Sequence, residues 1–285
     1  MYSAGLAVIL RRGGRALSRV VFKISAGFLV GVLVLLAVSL YLSDRYLDEY
    51  RRLAGAGDIQ GAIQKARLAA RLDPFSPDPL EALSLVLQLQ DRDEEAADAL
   101  REAIERDPNN YEPYLLLGNL QTAQLGRFGA AAESYRDALR LNPNADNARR
   151  FLAQLLIREG DLEAAKKEYE KLKTEGRLSY LNLYDLGRVY VRTGEPREGL
   201  RTLQRARRMA AATLQDLQGP SKLQQRELIE SMDLAIADAL VVQRRYAEAR
   251  EVIAGSSSER APALLQLIST DPEAYRESVV NGGIY

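Results

Sequence analysis

Apolar side chains along this chain recur at helical spacing, in short stretches broken by glycine or by an Asp-Pro pair. Leu183, Leu186, Gly187 and Tyr190 fall at i, i+3, i+4 and i+7 and share one face, while Asn182, Asp185, Arg188 and Arg192 point elsewhere. Gly194 ends that helix, and Pro196 stands near the start of the next, where its missing N–H costs nothing. Leu200, Leu203 and Ala206 continue the pattern in a second helix. Small residues occupy the corresponding faces upstream: Ala62, Ala66 and Ala69; Ala96, Leu100 and Ala103; Ala131, Tyr135 and Ala138; Ala165, Tyr169 and Leu172. The pattern predicts paired amphipathic helices whose small residues allow close approach.

Two sets of punctuation keep the same period. Gly57, Asp91, Gly126, Gly160 and Gly194 form one ladder, and Pro74, Pro108 and Pro143 form another, both stepping by about 34 residues, a spacing diagnostic of stacked repeats. Each ladder slips once, and the slips overlap only between Pro108 and Gly126. One extra residue is therefore expected in or near the first helix of the third unit. Asp73-Pro74, Asp107-Pro108 and Asn142-Pro143 should end helices, because the residue before proline avoids the α region.

These units resemble the tetratricopeptide repeat. Tyr114, Leu117, Gly118, Gly126, Ala131, Tyr135, Ala138 and Pro143 carry the fullest copy, and Leu183, Leu186, Gly187, Tyr190, Leu203 and Ala206 carry another. The resemblance implies an all-α, right-handed α-solenoid, with five repeats over residues 44–206. A divergent sixth unit is expected around Leu234, Leu240, Tyr246 and Ala249, within an elongated hairpin at 207–254. No tryptophan fills the first-helix aromatic slot, and the fourth unit reaches Gly176 without its proline.

In that hairpin, the second helix of unit five is expected to run on through Ala210, Leu214 and Leu217 before Gly219-Pro220 turns the chain. Ser221 and Gln224 stand at capping-box spacing for a helix reaching about Gln243. Over residues 255–285, Gly255 to Ser258 reads as a flexible break. Asp271-Pro272 reads as the start of a capping helix, Glu273 to Val280, followed by a tail ending in Ile284 and Tyr285.

The front of the chain differs. Ile24 to Ser43 contains no charged side chain, and at ~1.5 Å per residue it reaches ~30 Å, the thickness of a bilayer core. Residues 24–43 are therefore expected to form a transmembrane helix. Leu40 and Leu42 stand where a cleavable signal peptide would need small residues, which favours a retained anchor. Arg11, Arg12, Arg15, Arg19 and Lys23 make residues 1–23 basic and place them in the cytoplasm. The repeats are then expected on the extracytoplasmic side of a cell (inner or plasma) membrane, with Tyr41 and Tyr46 at the outer interface.

Composition narrows function. Beyond those five cations the chain carries 34 basic and 39 acidic residues, which argues against a nucleic-acid partner. It contains no cysteine and no histidine, so thiol chemistry and the commonest general base and metal ligand are absent. No phosphate-cradling glycine loop or serine-nucleophile motif occurs. No enzyme activity, catalytic residue, cofactor or metal is expected. The excess of Arg over Lys, 32 to 7, suggests a bacterial source.

First helices of such repeats line a concave surface, so their polar positions give the candidate peptide-binding residues Asn119, Arg150, Gln154, Arg158, Tyr184, Arg188 and Arg192. Four guanidinium groups point to a protein or peptide partner with an acidic or C-terminal segment. Some members of the resembled family clamp a peptide carboxylate with an Asn and several Lys or Arg. Only Asn119 matches that slot here, and Leu115 and Phe151 depart from it. The alternative for the four arginines is solvated pairing with Asp146, Glu159, Asp185 or Glu195. The expected function is a membrane-tethered scaffold for protein partners in a cell-envelope assembly, secretion or maturation process. The competing possibility is a structural, self-associating homo-oligomeric membrane module.

Overall fold

The structure is a computed structural model that describes the backbone of residues 3–174, 176 and 178–282, with side chains from Gly27 onward except Thr174. The predicted Ile284–Tyr285 tail lies outside the described residues. These residues form α-helices joined by short turns, with no strand among them. Contacts divide the chain into two compact units, residues 1–125 and 126–285.

In the first unit, α1 (Ser3–Gly55) is one continuous helix that carries the apolar segment directly into the first repeat. It pairs with α2 (Ile59–Leu72), followed by α3 (Asp78–Gln88), α4 (Asp93–Arg106) and α5 (Glu112–Ala123). Ala62, Ile63, Ala66, Leu87, Leu100 and Leu120 are all buried in its core. From Phe28 to Val38 the large apolar side chains of α1 are exposed, and the helix is long and apolar enough to cross a membrane. Tyr41 is also exposed. Tyr46 instead packs beside α2, with Lys65 Nζ 4.8 Å above its ring.

The second unit contains α6 (Phe128–Leu141), α7 (Asp146–Glu159), α8 (Leu162–Thr174), α9 (Tyr180–Arg192) and α10 (Pro196–Thr213). A single 3-10 turn, Leu214–Asp216, leads to α11 (Gly219–Val242), α12 (Tyr246–Ala254), α13 (Ala261–Thr270) and α14 (Pro272–Asn281). At the interlock of α9 and α10 there is room only for hydrogen. A Cβ on Gly187 would lie 2.6 Å from Leu203 Cγ, and one on Gly199 would lie 2.9 Å from the Gly187 carbonyl oxygen.

Every rung of the first ladder is a left-handed residue in the turn between two successive helices. Gly57, Gly126, Gly160 and Gly194 have φ between 63° and 84°, and Asp91 takes φ 54° without being glycine. Arg244, at φ 60°, supplies a sixth rung displaced by the long α10–α11 hairpin. The second ladder marks helix ends, with Asp73, Asp107 and Asn142 as C-caps. The extra residue of the third unit lies at the C-terminal end of α5. There the amides of both Gln124 and Leu125 donate to the Leu120 carbonyl.

Three local expectations are corrected. Helix α10 stops at Thr213, and Leu217 is extended rather than helical. Helix α11 begins at Gly219 with Pro220 in its first turn, so Ser221 lies inside it instead of capping it. After the serine turn, where Ser256 and Ser258 hydroxyls accept from nearby backbone amides, α13 forms a further helix and buries Ala261, Leu264 and Ile268. Asp271 caps α14 as expected, accepting from the Ala274 amide at 2.9 Å.

Candidate functional site

Four of the seven predicted residues come together on neighbouring first helices of the second unit. Gln154, exposed on α7, donates to Asp185 Oδ2 on α9 at 3.1 Å. The same oxygen accepts the hydroxyl of Tyr169, a fully buried residue of α8, at 2.9 Å. Burial pushes the Tyr169 phenol up, reinforced by Asp185, while Arg150 and Arg188 pull it down. Those two guanidinium groups therefore sit within electrostatic reach of the phenol that holds Asp185. Arg150 lies over the Phe151 ring at 4.2 Å, and Arg188 lies 5.4 Å from the ring centre of Tyr184. Tyr184 in turn reaches α11, its hydroxyl 3.5 Å from the Ser231 carbonyl oxygen. The result is a polar strip of Arg150, Gln154, Asp185, Arg188 and Tyr184, in which Gln154 and Tyr169 anchor the Asp185 carboxylate.

The other three residues stand apart. Arg158 stacks over Phe128 at 3.8 Å, at the first residue of α6. Asn119 is half-buried on α5 and belongs to the first unit. Arg192 is half-buried, and its guanidinium lies against Gly282 at the end of α14. Its Nε is buried without a hydrogen-bond partner, and burial lowers its pKa, with Arg188 adding to the effect.

Arg192 is covered because α14 packs across α9 and α11. Beneath it Arg188, Val191, Arg192, Ala235, Asp238 and Val279 enclose a small cavity. Asp238 is buried and accepts from Tyr275 at 2.9 Å. Burial pushes its carboxyl up to about 7, opposed by Tyr275, Arg188 and Arg260. Sequence reasoning missed this pair. Its signal was a lone acid inside the apolar run Leu234 to Val242. Sequence reasoning also placed Asp185 only as a solvated counter-ion, whereas the phenol of Tyr169 fixes it. Among the described residues, no group of three or more acidic side chains is arranged to hold a metal ion.

A stack of helical hairpins with a polar strip on its first helices defines a repeat-type interaction protein. Models of the tetratricopeptide repeat match residues 79–110 and 122–182. Those stretches of the chain are tetratricopeptide repeats. Among solved structures, Pseudomonas aeruginosa PilF is 17% identical, covering 86% of this chain and 99% of its own, with a TM-score of 0.56. A MamA structure is 20% identical over 62% of this chain and 97% of its own, with a TM-score of 0.52. MamA from Desulfovibrio magneticus RS-1 is 14% identical over 60% and 96%, also at 0.52. At these identities the likeness is one of fold. No curated protein sequence matches the chain. Tetratricopeptide-repeat proteins bind peptides or proteins as scaffolds and are generally not enzymes.

Proposed function

We propose that this protein is a membrane-tethered scaffold that captures a carboxylate-bearing segment of a partner protein on the α7–α9 strip. The supporting observation is that Arg150 and Arg188 both act electrostatically on Tyr169, the residue whose hydroxyl holds Asp185. Both guanidinium groups lie on aromatic rings, which limits the side-chain entropy lost when they grip a carboxylate. Asp185, held by Gln154 and Tyr169, offers the matching acceptor for a partner amide or cation. The apolar part of α1 supports the tether. With residues 1–23 cytoplasmic, the repeats face the extracytoplasmic side of the membrane, in a cell-envelope assembly, secretion or maturation process. Tethering raises the local concentration of a weakly held partner without demanding tight intrinsic affinity.

In-membrane crosslinking and pull-down of the full-length protein beside Arg150→Glu tests this proposal. Arg150 lies outside the packing of α14, and an unchanged thermal unfolding curve for Arg150→Glu separates loss of capture from loss of fold. Capture of a partner that is lost in Arg150→Glu supports the strip. Equal capture by both forms contradicts it, and recovery of only this chain by both forms would identify a self-assembling module instead.

A further inference from the structure

The first repeat is joined to α1 well inside the segment expected to span the bilayer. Ser39 Oγ donates to the Leu72 carbonyl at 2.7 Å, and Ser43 Oγ donates to the Ala69 carbonyl at 3.0 Å. The C-terminal end of α2 and the loop Asp73–Pro77 therefore lie level with Ser39. Below that level, Ile24–Val38 reaches only ~22 Å at 1.5 Å per residue. The hydrocarbon core is ~30 Å thick, so this span is short by ~8 Å, a mismatch that bilayer thinning relieves and that draws the first repeat down onto the membrane surface.

The loop at that level has an unusual side chain. Asp73, Asp107 and Asn142 each accept from the amide two residues on, building the same turn in successive units, at 3.0, 3.2 and 3.0 Å. The residue so presented is Asn109 in the third unit and Asn144 in the fourth, as expected for a loop in water. In the loop beside the apolar helix it is Phe75, which is 69% exposed. Nothing in the repeat packs it. The loop is nonetheless held: Ser76 N also donates to Asp73, and Arg106 Nη1 donates to the carbonyls of Asp73 at 2.8 Å and Ser76 at 3.3 Å. Exposed Tyr41, Leu42 and Leu68 surround the same end of the helix pair, and Arg71, exposed in the last turn of α2, supplies a cation there.

We infer that the first repeat is seated in the interfacial layer of the bilayer, with Phe75 on its braced loop as an apolar wedge beside the anchor. This inference rests on the tether proposed above. An irregular loop is intolerable in hydrocarbon but suits the headgroup layer, where aromatic side chains are favoured. A rigid seat would hold the first repeat against the membrane rather than letting it swing on a linker.

The chain has no tryptophan, so single-tryptophan reporters read depth directly. Full-length Val34→Trp, Phe75→Trp and Leu89→Trp are each placed in phosphatidylcholine–phosphatidylglycerol vesicles containing lipids brominated high on the acyl chain. All three positions are exposed, at 56%, 69% and 67%, so substitution leaves the core alone. Leu89 stands at the opposite end of α3 from the loop. The expected result is blue-shifted, strongly quenched emission at positions 34 and 75, with water-like, unquenched emission at 89. Quenching at 34 with position 75 matching 89 overturns the interfacial seat while leaving the tether intact. Equal quenching at 75 and 89 overturns it in favour of general adsorption. No quenching at 34 removes the tether, and the seat with it.

Discussion

The phenol of Tyr275 donates a 2.9 Å hydrogen bond to Asp238, fastening the last helix of the chain to the inside of α11. Both side chains are buried, and the carboxyl is pushed up to about 7 mainly by burial. An ordinary aspartate titrates near 4 in the unfolded chain. Between those values the folded state holds a proton that the unfolded state has lost, so stability falls as pH rises.

Thermal unfolding should accordingly show Tm declining from about pH 4 to about pH 7 and then levelling. Asp238→Asn, which keeps an oxygen acceptor for Tyr275, should raise Tm at pH 8 and flatten the decline. Glu81 in the first unit adds a term of the same sign. It too is pushed up to about 7, by burial first and then by Glu112 and Asp78, and its Oε1 is buried without a partner. Glu81→Gln should likewise stabilise at pH 8. A Tm that rises through this window in the wild type would contradict both assignments.

The two non-glycine rungs predict gains. Asp91 and Arg244 occupy the left-handed region, where a side chain costs roughly 1–2 kcal/mol. The ion pair of Arg244 with Glu273, at 3.4 Å between exposed groups, offsets little of that. Arg244→Gly should stabilise by about 1 kcal/mol, and Asp91→Gly by less, since aspartate tolerates this region better. Gly194→Ala should destabilise. Chemical denaturation of the three variants orders them.

Close approach predicts losses. Gly187→Ala and Gly199→Ala should each cost about 1–3 kcal/mol by forcing α9 from α10. Gly199→Ala should be the worse, because its methyl would meet the Gly187 backbone carbonyl as well as the Val191 side chain. Gly129→Ala, inside α6 with nothing within 4 Å, should instead stabilise by roughly 0.5–1 kcal/mol.

The repeat grammar was legible because glycine and Asp-Pro pairs act locally: a left-handed turn or a helix end is set by a few neighbouring residues. Arg244 escaped the ladder because it is not glycine and the longer hairpin displaced it. Helix α13 escaped because Gly255 to Ser258 reads as an interruption, although Ala261, Leu264 and Ile268 carry helical spacing. The strip was half legible. Helical phase places Arg150, Gln154, Tyr184 and Arg188 on one side of their helices, but it cannot place α14 over Arg192. Nor does phase separate Arg149 from Arg150. Arg149 is the buried one, donating to Glu168 at 2.7 Å and to the Pro143 carbonyl at 2.6 Å. Such outcomes depend on which distant helix arrives, and local pattern carries no record of that.

The central claim is that the α7–α9 strip holds a partner. A photo-crosslinking side chain placed at Gln154 in the membrane-resident, full-length protein tests it most directly, with Arg201 on α10 as the control position, 74% exposed in its side chain. The account predicts an adduct with a different polypeptide from position 154, weakened by salt as a carboxylate–guanidinium contact must be, and none from position 201. Adducts only with this same chain, or equal yields from both positions, would contradict it.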